Sequence, residues 1–169
     1  GVMELGMANR NMHSEIQTFV GRTIDSELSG NMIDLCPVGA LTSKPFRYSA
    51  RSWELSRRKS ISSHDSLGSN LTVQVKNGKV MRVLPRENED VNECWISDRD
   101  RFSYEALNSA DRLTKPMVRV DGALREVEWN VALDYVCHAL KDIAKTHSPE
   151  SIAALAAPNS TLEELYLLK

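Results

Sequence analysis

The sequence predicts a mixed fold, α+β in its first two thirds and α/β towards its end. Three observations carry that reading. Leu71, Val73 and Val75 alternate with Thr72, Gln74 and Lys76 and run into Asn77-Gly78, the pattern of a half-buried strand entering a tight hairpin. Leu133, Val136, Cys137, Leu140, Ile143 and Ala144 recur at helical spacing as one apolar stripe. Ile152 to Ala157 is a short unbroken apolar run, followed by Pro158-Asn159 and the capping-box pattern Ser160-x-x-Glu163. Strand, turn and helix in that order open an α/β layer.

The elements follow along the chain. Residues 1 to about 35 carry scattered turn signals, among them Asn9, Asn11, Gly21 and Ser29-Gly30-Asn31, and read as an irregular segment with short helices. Proline disfavours the helical region at the residue before it, so Cys36, ahead of Pro37, is expected to be extended at a bend. From Lys44 to Lys59 six basic residues face Glu54 alone, with Tyr48 and Trp53 between them. That strip reads as a solvated linker or a face against a partner in preference to an RNA-binding surface, because the rest of the chain cancels its charge. A serine-rich loop around His64 leads into the strand at Leu71. The return strand, Lys79 to Leu84, is apolar on both sides and is expected to be covered on both faces and to end at Pro85. A second hairpin is expected at Met117 to Val120, turning on Asp121-Gly122. Asn130 is the expected N-cap of the helix that runs to about Thr146.

Composition excludes several classes. The 169 residues carry 21 Lys and Arg against 23 Asp and Glu, a formal net charge of −2. That balance argues against nucleic-acid binding by bulk charge and against a polybasic membrane anchor. No apolar stretch reaches the ~18 residues a membrane span needs. The three cysteines, Cys36, Cys94 and Cys137, lie too far apart for a disulfide scaffold and fit a reducing compartment. The sequence opens on Gly1-Val2 and closes within an amphipathic pattern, so it is expected to be a fragment of a longer protein.

Few residues invite chemistry. A lone cysteine is usually a small core residue, but Cys36 sits before proline in a glycine-bearing loop. Such loops leave backbone N–H groups free to face sulfur, as iron–sulfur ligation requires. Cys137 lies on the apolar stripe and Cys94 beside Trp95, and packing is the favoured reading for both. His13, His64, His138 and His147 form no metal-ligand spacing. The pairing of His64 with neighbouring serines lacks the spacing of a hydrolytic nucleophile. The acidic group Glu87, Glu89, Asp90 and Glu93 reads as a solvated face. There is no glycine-rich dinucleotide or phosphate loop.

One segment adds a family. Ser26 to Phe46, which contains Cys36-Pro-Val-Gly-Ala-Leu41, resembles the large iron–sulfur component of NADH-quinone oxidoreductase, respiratory complex I, in its proteobacterial form. Val80-Met-Arg-Val-Leu-Pro85, Trp95-Ile-Ser-Asp-Arg99, Arg101-Phe-Ser-Tyr104 and Arg112-Leu-Thr-Lys-Pro-Met117 continue the match. In that family a Cys-x2-Cys-x2-Cys run binds a [4Fe–4S] cluster, and the cysteine of the later Cys-Pro loop is its fourth ligand. The resemblance gives Cys36 that role, with Gly39 and its neighbouring N–H groups around the sulfur. The other ligands are expected upstream of Gly1, so no cluster is expected in the isolated piece.

The resemblance divides the sequence in three. Residues 1–50 are expected to be the end of a ferredoxin-like cluster domain. Residues 51–115 are expected to form a small β-rich domain of the Mo/W-oxidoreductase type, and 116–169 the start of a molybdopterin-oxidoreductase-like α/β domain. Relatives of the middle domain carry four cysteines; here Ser62, Asp65, Ser69 and Ser97 stand at those positions. Oxygen donors do not replace thiolates on iron–sulfur clusters, so a vestigial cluster domain is expected, with no molybdopterin. The implied function is electron transfer from NADH and flavin towards quinone as part of an enzyme complex. The implied partners are the other peripheral-arm subunits, both the flavin- and NADH-binding one and those on the quinone side. The implied location is the cytoplasmic face of a bacterial inner membrane, held peripherally. A molybdopterin-dependent enzyme such as formate dehydrogenase and a non-redox scaffold are the alternatives, and the four absent thiolates argue against the first.

Overall fold

Hairpin chemistry dominates the first part of the molecule in a computed structural model that describes residues 4–18 and 21–169. Strands β1 (Leu5–Ala8) and β2 (Glu15–Thr18) pair antiparallel, with a short 3-10 turn at Asn11–His13 between them. Helix α1 (Asn31–Leu35) follows. Strands β3 (Ser56–Ile61), β4 (Asn70–Lys76) and β5 (Lys79–Pro85) form an antiparallel sheet with β4 at its centre. Asn77 and Gly78 both take positive φ, +51° and +75°, as the tight β4–β5 turn requires. Across from Gln74 and Val75 the register skips Met81, a bulge that bends β5. Helix α2 (Asp98–Phe102) and a 3-10 stretch, Ser103–Asn108, pack against β5.

The molecule divides into two units, up to Asn108 and from Ser109 onward. The first unit has its core at Leu71, Val83, Ile96 and Tyr104, with Val73 and Val80 packed against them. The second holds the hairpin β6 (Met117–Val120) and β7 (Ala123–Glu126), helix α3 (Trp129–Thr146) and helix α4 (Leu162–Leu167). Its hairpin turns at Asp121-Gly122, both at positive φ.

Several expectations are corrected. The stretch before residue 35 contains the β1–β2 hairpin; positions 1–3 and 19–20 of it lie outside the described residues. The basic strip is no linker in its second half, since Arg57, Arg58 and Lys59 form the edge strand β3. The segment 152–157 forms no strand: it is exposed, and every sheet among the described residues is antiparallel. A parallel strand holds its shape only between neighbours, and none flanks it here. Helix α3 begins two residues early, with Glu128 as N-cap instead of Asn130, and without a side-chain cap bond. The capping box falls one residue later than expected: Thr161 accepts from the N–H of Glu164, whose carboxylate accepts from the N–H of Thr161. No residue on α3 is buried, and Cys137 is exposed together with Leu133, Val136, Leu140 and Ile143 of its stripe. Cys94 is exposed too, in the turn after Asn92.

Candidate functional site

Cys36 closes α1. Its backbone is extended (φ −74°, ψ 105°), as a residue before proline should be, and its N–H donates to the Met32 carbonyl. The backbone then doubles back. Gly39 takes φ +68°, a conformation open to glycine, and the N–H of Leu41 donates to Cys36 Sγ at 3.5 Å. The N–H groups of Leu41 and Val38, and more weakly those of Ala40 and Gly39, favour the thiolate and hold the Cys36 pKa below that of an ordinary thiol; slight desolvation opposes them. The residue as a whole is half-buried.

A thiolate in a cradle of backbone N–H donors is what an iron–sulfur cluster requires of a protein ligand, so the loop fits that group. Cys36 is the one thiol this loop offers. Among the described residues no three His, Cys, Asp or Glu side chains gather to hold a metal. The cradle has a measurable consequence. In this protein, the alkylation rate of Cys36, followed by mass spectrometry of its peptide, is expected to reach half its maximum below pH 9.0, the ordinary thiol value. A midpoint at or above that value would mean that the N–H groups do not act on the sulfur.

The helix that presents Cys36 is gripped from α2. The Asp98 carboxylate accepts from the Gly30 N–H at 2.7 Å and from the Ser29 hydroxyl, while the Asp98 N–H donates to the Glu27 carbonyl. Asn31 is buried and exchanges two bonds with the backbone of Ile96. Arg101, 3 % exposed, donates through one nitrogen to Asn31 Oδ1 and to Asp34 Oδ2. Between the Cys36 loop and β5 lies a cavity of about 460 Å³, whose wall includes Gly39, Leu41, Arg82 and Tyr104. Arg82 stacks over Phe46, 4.1 Å from the ring centre, and bonds Gln74.

The four positions where the resemblance implies lost cysteines do come together. Asp65, Ser69 and Ser97 line one cavity of about 310 Å³ with Asp100. Ser62, buried, donates to one oxygen of Asp100 and Ser97 to the other, at 3.0 Å. Ser97 also caps α2 by accepting from the Asp100 N–H. The donor set is entirely oxygen, and Ser62 and Ser97 are both tied to Asp100. It does not fit an iron–sulfur cluster, which needs soft thiolates.

The remaining candidates stay apart. His64 Nε2 lies 2.6 Å from the Ser103 hydroxyl, and the pair belongs to neither cavity. His138 bonds only its own helix, at the Asp134 carbonyl. Glu87, Glu89, Asp90 and Glu93 are exposed, as a solvated face should be. Sequence reasoning missed Asn31, Asp98, Asp100 and Arg101 as a working group. The alternation of charges in Asp98-Arg-Asp-Arg101 was the available signal, since a charged residue is buried only when paired.

Residues 1–42 match the ferredoxin-like domain of NADH-quinone oxidoreductase subunit 3, and residues 55–105 the NDSU1/NuoG-like 4Fe-4S domain of NADH-ubiquinone oxidoreductase. Residues 112–169 match the molybdopterin oxidoreductase family. The protein is 45% identical over 169 residues to the G subunit of NADH-quinone oxidoreductase from Rickettsia conorii, covering all of this sequence and 24% of that protein. It is 43% identical over 169 residues to the NADH-ubiquinone oxidoreductase 75 kDa subunit of Reclinomonas americana, again all of this sequence and 24% of that one. The mitochondrial NADH dehydrogenase [ubiquinone] iron-sulfur protein 1 of Solanum tuberosum is 47% identical over 170 residues, all of this sequence and 22% of that protein. The chain thus spans about a quarter of the length of these curated relatives. With three domain matches in series and similarity running from its first residue to its last, the chain is similar throughout to a stretch of the large iron–sulfur (NuoG-like) subunit of NADH-quinone oxidoreductase.

Proposed function

We propose that this chain is the part of an electron-transferring subunit of NADH-quinone oxidoreductase in which Cys36 holds one iron of a [4Fe–4S] cluster. The observation that carries the reading is the Cys36 loop, whose backbone N–H groups converge on one sulfur. The other three thiolates come from residues outside this sequence. The cluster supplies one-electron chemistry when bound. The residues present here supply a ligand, N–H donors that stabilise negative charge on sulfur, and a rigid seat. NADH and quinone bind elsewhere in the complex.

On this reading 1–50 completes a ferredoxin-like domain, 51–115 is a small domain whose cluster positions carry oxygen, and 116–169 begins a molybdopterin-oxidoreductase-like domain without molybdopterin. The partners are the flavin- and NADH-binding subunit and the iron–sulfur subunits on the quinone side. No described helix is long and apolar enough to cross a membrane, which agrees with peripheral attachment, here placed on the cytoplasmic face of the inner membrane.

The test uses the full-length protein in its assembled complex. Anaerobic addition of NADH is expected to develop a reduced [4Fe–4S] signal by electron paramagnetic resonance from a centre in this subunit. A full-length protein purified without iron or acid-labile sulfide would overturn the reading.

A further inference from the structure

The ion pair between Arg101 and Asp34 joins segments 67 residues apart in sequence. Asp34 lies on α1 two residues before Cys36, and Arg101 lies on α2 in the domain whose cluster positions are now serines and an aspartate. The Arg101 side chain is 3 % exposed and that of Asp34 31 %. Burying a guanidinium costs more than a single half-exposed partner returns, and an apolar pair of similar volume commonly serves stability as well. What the pair adds is direction. Arg101 donates at once to Asp34 and to Asn31, one turn apart on α1, so it fixes the rotation of that helix about its own axis. Asp98 and Ile96 hold only the helix's beginning, at Gly30 and Asn31. Among the hydrogen bonds from α2, those of Arg101 reach the turn from which Cys36 departs. Room for it is kept by Gly30, where a Cβ would come within 2.6 Å of Arg101 Cδ and 2.7 Å of its Nε.

We propose that Arg101 is a positioning residue for the Cys36 ligand: through Asp34 and Asn31 it sets how α1 presents the thiolate, and this grip is the working role of the domain that has lost its own cluster positions. The inference rests on the proposed ligation by Cys36. A ligand sulfur held at a fixed angle gives one cluster geometry and one potential. Released, it samples several, and iron becomes easier to extract. Partners that orient metal ligands commonly account for about tenfold in metal retention.

The experiment compares Arg101→Met, Arg101→Lys, Asp34→Asn and the double variant Arg101→Met with Asp34→Leu in the full-length protein. Each is read for thermal midpoint, rate of iron loss to a chelator, reduction potential and paramagnetic line shape. The double variant restores the charge balance, so any change it shows is one of position. Asp34→Asn lies at a part-exposed site and keeps the fold if Arg101→Met does not. The expected result is iron lost about tenfold faster in Arg101→Met, Asp34→Asn and the double variant, with broadened line shape and shifted potential, and partial recovery in Arg101→Lys. Unchanged line shape, potential and iron release in the folded Asp34→Asn and double variants overturn the inference, even if the thermal midpoint falls. An unchanged cluster in Cys36→Ala would instead sink the ligand assignment beneath it, so the two failures are separable.

Discussion

In the full-length protein, Cys36→Ala is expected to remove one [4Fe–4S] centre: about four iron atoms per molecule, its paramagnetic signal, and NADH-to-quinone turnover with it. The magnitude follows from the ligand count. A cubane held by four thiolates loses its hold on one iron corner when one is gone, and the incomplete cluster is then expected to be released whole, while the N–H groups of Leu41 and Val38 face a methyl group instead of a charged sulfur. Electrons pass singly from centre to centre, so a missing centre interrupts the route instead of slowing one step. Cys94→Ala and Cys137→Ala provide the comparison. Both thiols are exposed, and neither sits in such a cradle, so iron content is expected to stay at the parent's value. Iron and signal that survive Cys36→Ala would show the fourth ligand to lie elsewhere.

Gly30→Ala is expected to destabilise the first unit by about 2–4 kcal/mol, seen as a lower urea midpoint at unchanged slope. Its φ is an ordinary −62°, so the cost is one of space and not of backbone conformation. The added methyl would meet Arg101 Cδ at 2.6 Å, Arg101 Nε at 2.7 Å and Asp98 Oδ1 at 2.7 Å. Neither side chain can give way freely. Arg101 is tied to Asn31 and Asp34, and Asp98 accepts from the very N–H of Gly30. Gly6→Ala is the control: nothing lies within 4 Å of its Cβ position, and the midpoint is expected to hold or rise slightly. Equal midpoints for the two variants would mean that Arg101 and Asp98 can move aside at no cost.

How much of this was legible in the sequence depended on whether the information was local. The Asn77-Gly78 and Asp121-Gly122 turns, the extended Cys36 before Pro37 and the span of α3 are set by backbone preferences within a few residues, and all were readable. Strand β3 was not. Ser56-Arg-Arg-Lys-Ser-Ile61 has no apolar alternation, because an edge strand with every side chain exposed gains its order from bonding to β4. The β1–β2 hairpin hid for the same reason, since β2 is exposed throughout. The error at Ile152 to Ala157 ran the other way: apolar composition allows a buried strand, but only pairing makes one. For the site, Cys36 and Gly39 were legible as a bend around sulfur. The grip of Arg101 and Asp98 on α1 was not, because it joins residues 65 to 70 apart and no periodicity encodes such a distance. The convergence of Ser62, Asp65, Ser69 and Ser97 came from family resemblance and not from any property of serine.

The bonds that Asp100 receives from Ser62 and Ser97 bear on how such a protein is made. A crosslink of hydroxyls and a carboxylate forms as soon as the polypeptide collapses, waits for no delivery of iron or sulfide by the cell's biogenesis machinery, and is indifferent to oxygen. On the proposed ligation, the seat for Cys36 is therefore expected to be finished before any inorganic cargo arrives and to outlast its loss. Repair then becomes a matter of reloading a standing scaffold rather than of refolding it.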